Sequence, residues 1–195
     1  MKPRSLKTAD ILPFGDTRLR AVCKPITVFH GGLGSKIDLI KNTLAAHGGG
    51  AALAAPQIGF LRRVVVIKYL GEYHELVNPV IEAASGAVEG FEGCLSLPGF
   101  LGNVTRAETV RVTFQNRHGD VVTLERSGDM ARCFQHEIDH LDGVLFIDRM
   151  TEERVFNERT NEILRVSDLR GLTEARYVGE AEGPGKWTST TRPWG

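Results

Sequence analysis

His136-Glu137-Ile138-Asp139-His140 is the run whose residue types and spacing could do chemistry. Two histidines four residues apart on a helix project side by side, one turn apart, and can hold one metal ion through their imidazole nitrogens. A glutamate between them stands near that metal without having to ligate it. There it can take a proton from an activated water and hand it to a leaving group. A helix can also carry two histidines for purely structural reasons. Yet an inward-facing pair flanking an inward glutamate is costly to bury without a metal to hold. The chemistry implied is metal-assisted hydrolysis.

Two ligands from one helix are too few. A catalytic site of this kind needs a third protein ligand and an open fourth position. No histidine follows His140, which disfavours a three-histidine peptidase. Glu153, Glu158 and Glu162 downstream could each complete a peptidase-like site. Upstream, Glu92-Gly93-Cys94-Leu95-Ser96 offers Cys94. A thiolate binds zinc or ferrous iron strongly, and a neighbouring glycine lets backbone approach the metal. Taken alone, Cys94 would read as a core residue, as Cys23 and Cys133 do. Three cysteines make a poor disulfide framework and fit a reducing compartment.

The elements that must position these groups can be read from periodicity. Met130 to Leu141 is the clearest helix, with Ser127 and Asp129 as candidate N-caps and Gly143 where a C-terminal glycine belongs. Met130, Cys133, Phe134, Ile138 and Leu141 form its apolar face. His136, Glu137 and His140 lie on that face or its border, whereas Arg132, Gln135, Asp139 and Asp142 point the other way. Ser35 to His47 is a second helix, with Ser35 and Asp38 as a capping-box pattern and Gly48 to Gly50 as its stop. Val64 to Tyr69 and residues 74–81 read as strands. Thr109 to Asn116 and Val121 to Arg126 flank a His118-Gly119-Asp120 turn, a hairpin signal. Thr151 to Val166 reads as a charged, weakly amphipathic helix. Strands first and one strong helix late imply an α+β fold, mostly antiparallel sheets around a central helix that carries the HExxH run.

The 195 residues suit one domain with a sizeable core. We place a single catalytic domain at residues 1–170 and a C-terminal extension, expected to be flexible, at 171–195, where Gly, Thr and charge dominate. Lysine plus arginine equals aspartate plus glutamate, 24 against 24, so charge asks for neither nucleic acid nor an anionic membrane as partner. No apolar run reaches membrane-span length, and Met1 to Asp10 lacks the apolar core of a secretory signal. A cytoplasmic location follows as an expectation.

Three segments together resemble the peptide deformylase family. Gly50-Ala51-Ala52-Leu53-Ala54-Ala55-Pro56-Gln57-Ile58-Gly59 is similar to its first motif. Glu92-Gly93-Cys94-Leu95-Ser96 is similar to the second, and Gln135-His136-Glu137-Ile138-Asp139-His140-Leu141-Asp142-Gly143 to the third. Order and spacing also match, over about Ile11 to Met150. No long insertion separates Gln57 from Glu92, as in the shorter, type I class. The resemblance implies hydrolysis of the N-formyl group from the initiator methionine of nascent proteins. It implies that Cys94, His136 and His140 hold the metal and that Glu137 is general base, then general acid. It also implies that Gln57 and the Leu95 backbone N–H hold the developing oxyanion. The backbones near Ala51 and Gly93 would hold the substrate peptide like an added strand. Fe(II) is the favoured ion, with Zn, Ni or Co able to occupy the site. N-formylmethionyl peptides are the expected partners, with a transient encounter with the ribosome.

Two residues depart from the family pattern. Ala52 stands where a second glycine is usual, which would narrow the pocket or ask for a different φ. Asp129 stands where an apolar residue usually borders the pocket for the methionine side chain. It reads either as an N-cap or as an altered substrate preference. A metallopeptidase with a downstream glutamate ligand, a non-catalytic peptide or metal binder, and an amidase for a specialised small molecule are the competing functions.

Overall fold

The computed structural model describes residues 6–48 and 50–169. The expected extension at 171–195 lies outside the described residues, as does the last residue of the expected catalytic domain. Strands β1 (Ala52–Ala54), β2 (Val64–Tyr69), β3 (Glu72–Ser85), β6 (Thr109–Gln115) and β7 (Val121–Ser127) form a five-stranded sheet in the order β1-β2-β3-β6-β7. Strands β4 (Val88–Cys94), β5 (Leu97–Arg106), β8 (Arg154–Asn157) and β9 (Ile163–Arg165) form a four-stranded sheet in that order. Every strand pairing within the two sheets is antiparallel. Helix α1 spans Leu33–Ala46 and helix α2 spans Gly128–Leu141. The fold is the expected α+β arrangement.

Helix α2 lies between the sheets and is buried on nearly every side. Met130, Ala131, Cys133, Phe134, Ile138 and Leu141 pack against Val65, Ile67, Leu76, Val110, Val112 and Phe114 of the larger sheet. Phe134 is fully buried, a burial contributing roughly 1.5–3 kcal/mol over an exposed side chain. A second cluster, Leu97, Phe100, Val104 and Val155 with Leu145 to Ile147, fills the inner side of the smaller sheet. Periodicity turns Arg132 and Asp139 away from the apolar face and toward solvent, but in the structure both are buried. Arg132 is 4% exposed and Asp139 9%. Their charges are buried because carboxylates and guanidinium groups of the smaller sheet and its flanks meet them there.

The helix ends are specific. Ser127, in extended conformation, is the N-cap of α2, without a side-chain cap bond. Asp129 is therefore not the N-cap but a first-turn acid, favoured there by the helix dipole. At the other end, Gly143 N–H donates to His140 O and Val144 N–H to Asp139 O, a Schellman closure with Gly143 at φ +72°. A Cβ on Gly143 would lie 2.5 Å from Arg20 O. Replacing Gly143 with Ala should cost about 1–2 kcal/mol for the left-handed backbone alone, and more for the clash. A thermal melt checks this, and an unchanged midpoint would contradict it.

Two local expectations fail. Residues 154–165 form β8 and β9, not a helix: Val155 pairs with Leu164 and Phe156 with Ile163, around a turn in which Asn161 takes φ +58°. Apolar pairs in neighbouring strands outweigh a weak 3.6-residue charge pattern. Helix α1 starts at Leu33 behind Gly32, so Ser35 and Asp38 are not its capping box.

Candidate metal centre

The site lies where α2 faces the β4–β5 hairpin. His136 and His140 project from α2 with ring centroids 5.0 Å apart. Cys94 ends β4, and Leu95-Ser96 is the two-residue turn into β5. Cys94 Sγ is 3.3 Å from His140 Nε2. The Sγ and one ring nitrogen from each histidine all lie within 4.8 Å of one another. Among the described residues this is the group able to hold a metal ion. Glu153 and Glu162 are exposed, and Glu158 lies on the β8–β9 turn, so none joins the histidines. The donor set, one thiolate and two imidazoles, suits zinc or ferrous iron.

The surroundings fit a cation. Cys94 Sγ accepts from Ser96 N–H and from Gln57 Nε2, both at 3.4 Å. Burial opposes a proton on His136, but hydrogen bonds to Cys94 and Glu92 outweigh it and raise its pKa well above the usual value. Positive charge on the His136 ring is thus favoured beside the Cys94 thiol and the Glu92 carboxylate. Burial and the neighbouring His136 instead lower His140 well below its usual value, which keeps a ring lone pair available. Glu137 sits between the histidines, buried, and its Oε2 has no hydrogen-bond partner among the described residues. That unsatisfied oxygen is where a base for a bound water would be.

Gln57 is on the short 3₁₀ turn Ala55–Ile58 that follows β1 and is 2% exposed. Its Oε1 accepts from Ala54 N–H at 2.8 Å, which turns Nε2 toward Cys94 and Ser96. The side chain therefore presents a donor to the metal pocket. A glutamine that merely satisfies backbone accounts for only one end of this amide.

Ala52 pairs with Ile67 in extended β1 and is not among the residues of positive φ. An alanine is thus accommodated without backbone strain. Gly50 carries the tighter constraint, since a Cβ there would lie 2.7 Å from Leu95 Cδ1. Ala51 is buried and its carbonyl accepts from Lys68 N–H. Gly93 pairs with Leu101, whose Cδ2 a side chain at 93 would meet at 2.9 Å. Strands β1 and β4 are both sheet edges. Asp129 is exposed in the first turn of α2, eight residues before Glu137, and Tyr69 Oη donates to its Oδ2 at 3.4 Å.

A buried ionic network behind the rings escaped the sequence reading. Glu92 is fully buried and its Oε2 accepts from His136 Nδ1 at 2.9 Å. Arg106 Nε and Nη2 also bond Glu92, and Arg106 Nη1 reaches Asp139 at 2.6 Å. Burial works against the Glu92 charge, but hydrogen bonds from His136 and Arg106 outweigh it and hold its pKa far below the usual carboxylate range. Glu92 thereby engages His136 through Nδ1 and leaves Nε2 as the ring nitrogen that could hold an ion. The available signal was Glu92 preceding Cys94 by two residues, which puts both side chains on one strand face.

The polypeptide deformylase family model matches residues 8–155. The peptide deformylase of Heliobacterium modesticaldum is 46% identical over 144 residues, 74% of this chain and 95% of the relative. The crystal structure of the Thermotoga maritima peptide deformylase superposes with TM-score 0.72 at 37% identity, covering 74% of this chain and 99% of the other. A Met-Ala-Ser-bound class I peptide deformylase from Acinetobacter baumannii superposes with TM-score 0.69 at 29% identity, covering 75% of this chain and 100% of the other.

Proposed function

Since the chain belongs to the peptide deformylase family, we propose from that premise what each of its residues does. The activity is hydrolysis: removal of the N-formyl group from the N-terminal methionine of nascent polypeptides, with release of formate. The family is metal-dependent. In our reading Cys94, His136 and His140 hold the ion, with Fe(II) favoured and Zn(II), Ni(II) or Co(II) able to replace it. The ion would polarise the formyl carbonyl and ease deprotonation of the attacking water.

The remaining work falls to the chain. Glu137 accepts the proton of the attacking water and then gives it to the departing amine nitrogen. Gln57 Nε2 and the Leu95 N–H donate to the oxygen on which negative charge grows. The edges at Ala51, Ala52 and Gly93 hold the peptide backbone as an added strand. The observation that carries this reading is the convergence of a thiol, two imidazoles and an amide donor, beside a helix residue, Glu137, whose buried carboxylate has one oxygen without a partner among the described residues.

We place the enzyme in the cytoplasm, with transient access to the ribosome. No helix among the described residues is long and apolar enough to cross a membrane. Asp129 borders the pocket for the first side chain and shifts its preference. Asp129→Leu should raise kcat/KM for formyl-Met over a formyl peptide with a polar first residue by roughly 10-fold. An unchanged ratio would remove Asp129 from the pocket.

The deciding assay uses protein purified without oxygen and given formyl-Met-Ala-Ser, Met-Ala-Ser or an internally blocked peptide. Formate should appear from the first alone. No formate from any formyl peptide, with metal bound, would overturn the assignment.

A further inference from the structure

Arg132 lies one helical turn before His136 on α2 and is almost wholly buried. A lone guanidinium in that position would be costly, so its partners matter. Nη1 donates to Val104 O at 2.8 Å, to Glu92 Oε1 at 3.0 Å and to Gly90 O at 3.4 Å. Nη2 donates to Val88 O at 2.9 Å. One side chain of α2 thus grips the backbone of both β4 and β5. A Cβ on Gly90 would lie 3.0 Å from Arg132 Nη2, so glycine at 90 leaves room for the fork.

The grip spans the two elements that supply the metal ligands. Cys94 ends the strand that Arg132 holds, and His136 and His140 ride on the helix that bears it. Arg132 also completes the set of donors around Glu92. Oε1 accepts from Arg106 Nε and Arg132 Nη1, and Oε2 from Arg106 Nη2 and His136 Nδ1. Each carboxylate oxygen therefore has two donors, and the plane of the group is set by three side chains.

We propose that Arg132 is a positioning residue of the metal centre: by clamping α2 to the β4–β5 hairpin and orienting Glu92, it sets where the imidazoles meet the Cys94 thiol. The inference rests on the ligand assignment given under Proposed function. It differs from a plain stabilising role in what it predicts for metal binding. Loss of a packing contact lowers the melting point with and without metal alike. Loss of positioning weakens the metal-bound form in particular.

The test uses the full chain, stripped of metal and titrated with Co(II) alone, for wild type, Arg132→Lys, Arg132→Met and Cys94→Ser. Lysine keeps the charge but cannot fork to carbonyls of two strands, so it covers the case in which methionine prevents folding. Both Arg132 variants should bind Co(II) about 10–100-fold more weakly, the usual effect of losing an outer-shell partner. Their Co(II) absorption spectra should shift, and the rise in melting temperature on adding Co(II) should shrink. Wild-type affinity and an unchanged spectrum in Arg132→Lys, whatever its melting point, would overturn the proposal. If Cys94→Ser binds Co(II) as wild type does, the ligand assignment itself fails and takes this inference with it.

Discussion

Glu137→Ala should release formate about 10²–10⁴-fold more slowly than wild type while still binding its metal, because the lost group moves a proton and holds no ion. The carboxylate is buried, and one of its oxygens has no partner among the described residues. An isosteric Glu137→Gln should lose as much, since an amide cannot accept the proton. KM should change little, as the peptide is held elsewhere. The pH profile gives a second readout. Burial, offset in part by His136 and aided by Glu92, pushes the carboxyl up to about 7 in the metal-free protein. A base must be ionised, so kcat/KM falls as pH drops through its pKa. A cation nearby favours the ionised form, which puts the acid limb of the metal-loaded enzyme below pH 7. Loss of metal in Glu137→Ala would instead make Glu137 a ligand and remove the base.

Cys94→Ser should carry the largest effect on metal retention. A serine hydroxyl keeps the shape but does not ionise, so the site trades a thiolate for a weak neutral donor. Affinity should fall by more than the roughly 10–100-fold that an outer-shell partner is worth. The stabilisation that metal gives to folding should fall with it, read as a smaller rise in melting temperature at fixed metal concentration. Neither Glu153 nor Glu162 is placed to substitute, since both are exposed, the first just before β8 and the second just before β9. Equal metal content in Cys94→Ser and wild type would revive a peptidase-like site with a glutamate ligand.

Legibility in the sequence follows the range of the interactions involved. Helix α2 and the β6–β7 hairpin are readable because periodicity, a stop glycine and a turn are encoded within a dozen residues. The pairing of His136 with His140 is readable for the same reason. Cys94 is not: it lies more than forty residues upstream, and only its resemblance to a family motif singles it out. The burial of Arg132 and Asp139 is hidden because their partners, Glu92, Arg106 and Arg149, come from other elements. Periodicity tells which way a charge points and not what waits there. Asp129 misleads as a cap because Ser127 and Asp129, both cap-favouring types, stand two positions apart and blur the helix start. Residues 154–165 mislead because a short hairpin with charged outer positions mimics a surface helix.

X-ray absorption at the K-edge of the metal in the loaded wild-type protein tests the centre most directly. With zinc, the expected first shell holds one sulfur near 2.3 Å and two imidazole nitrogens near 2.0–2.1 Å, with a light atom completing it. A shell of nitrogen and oxygen alone would take Cys94 out of the site and contradict the assignment of the metal to Cys94, His136 and His140.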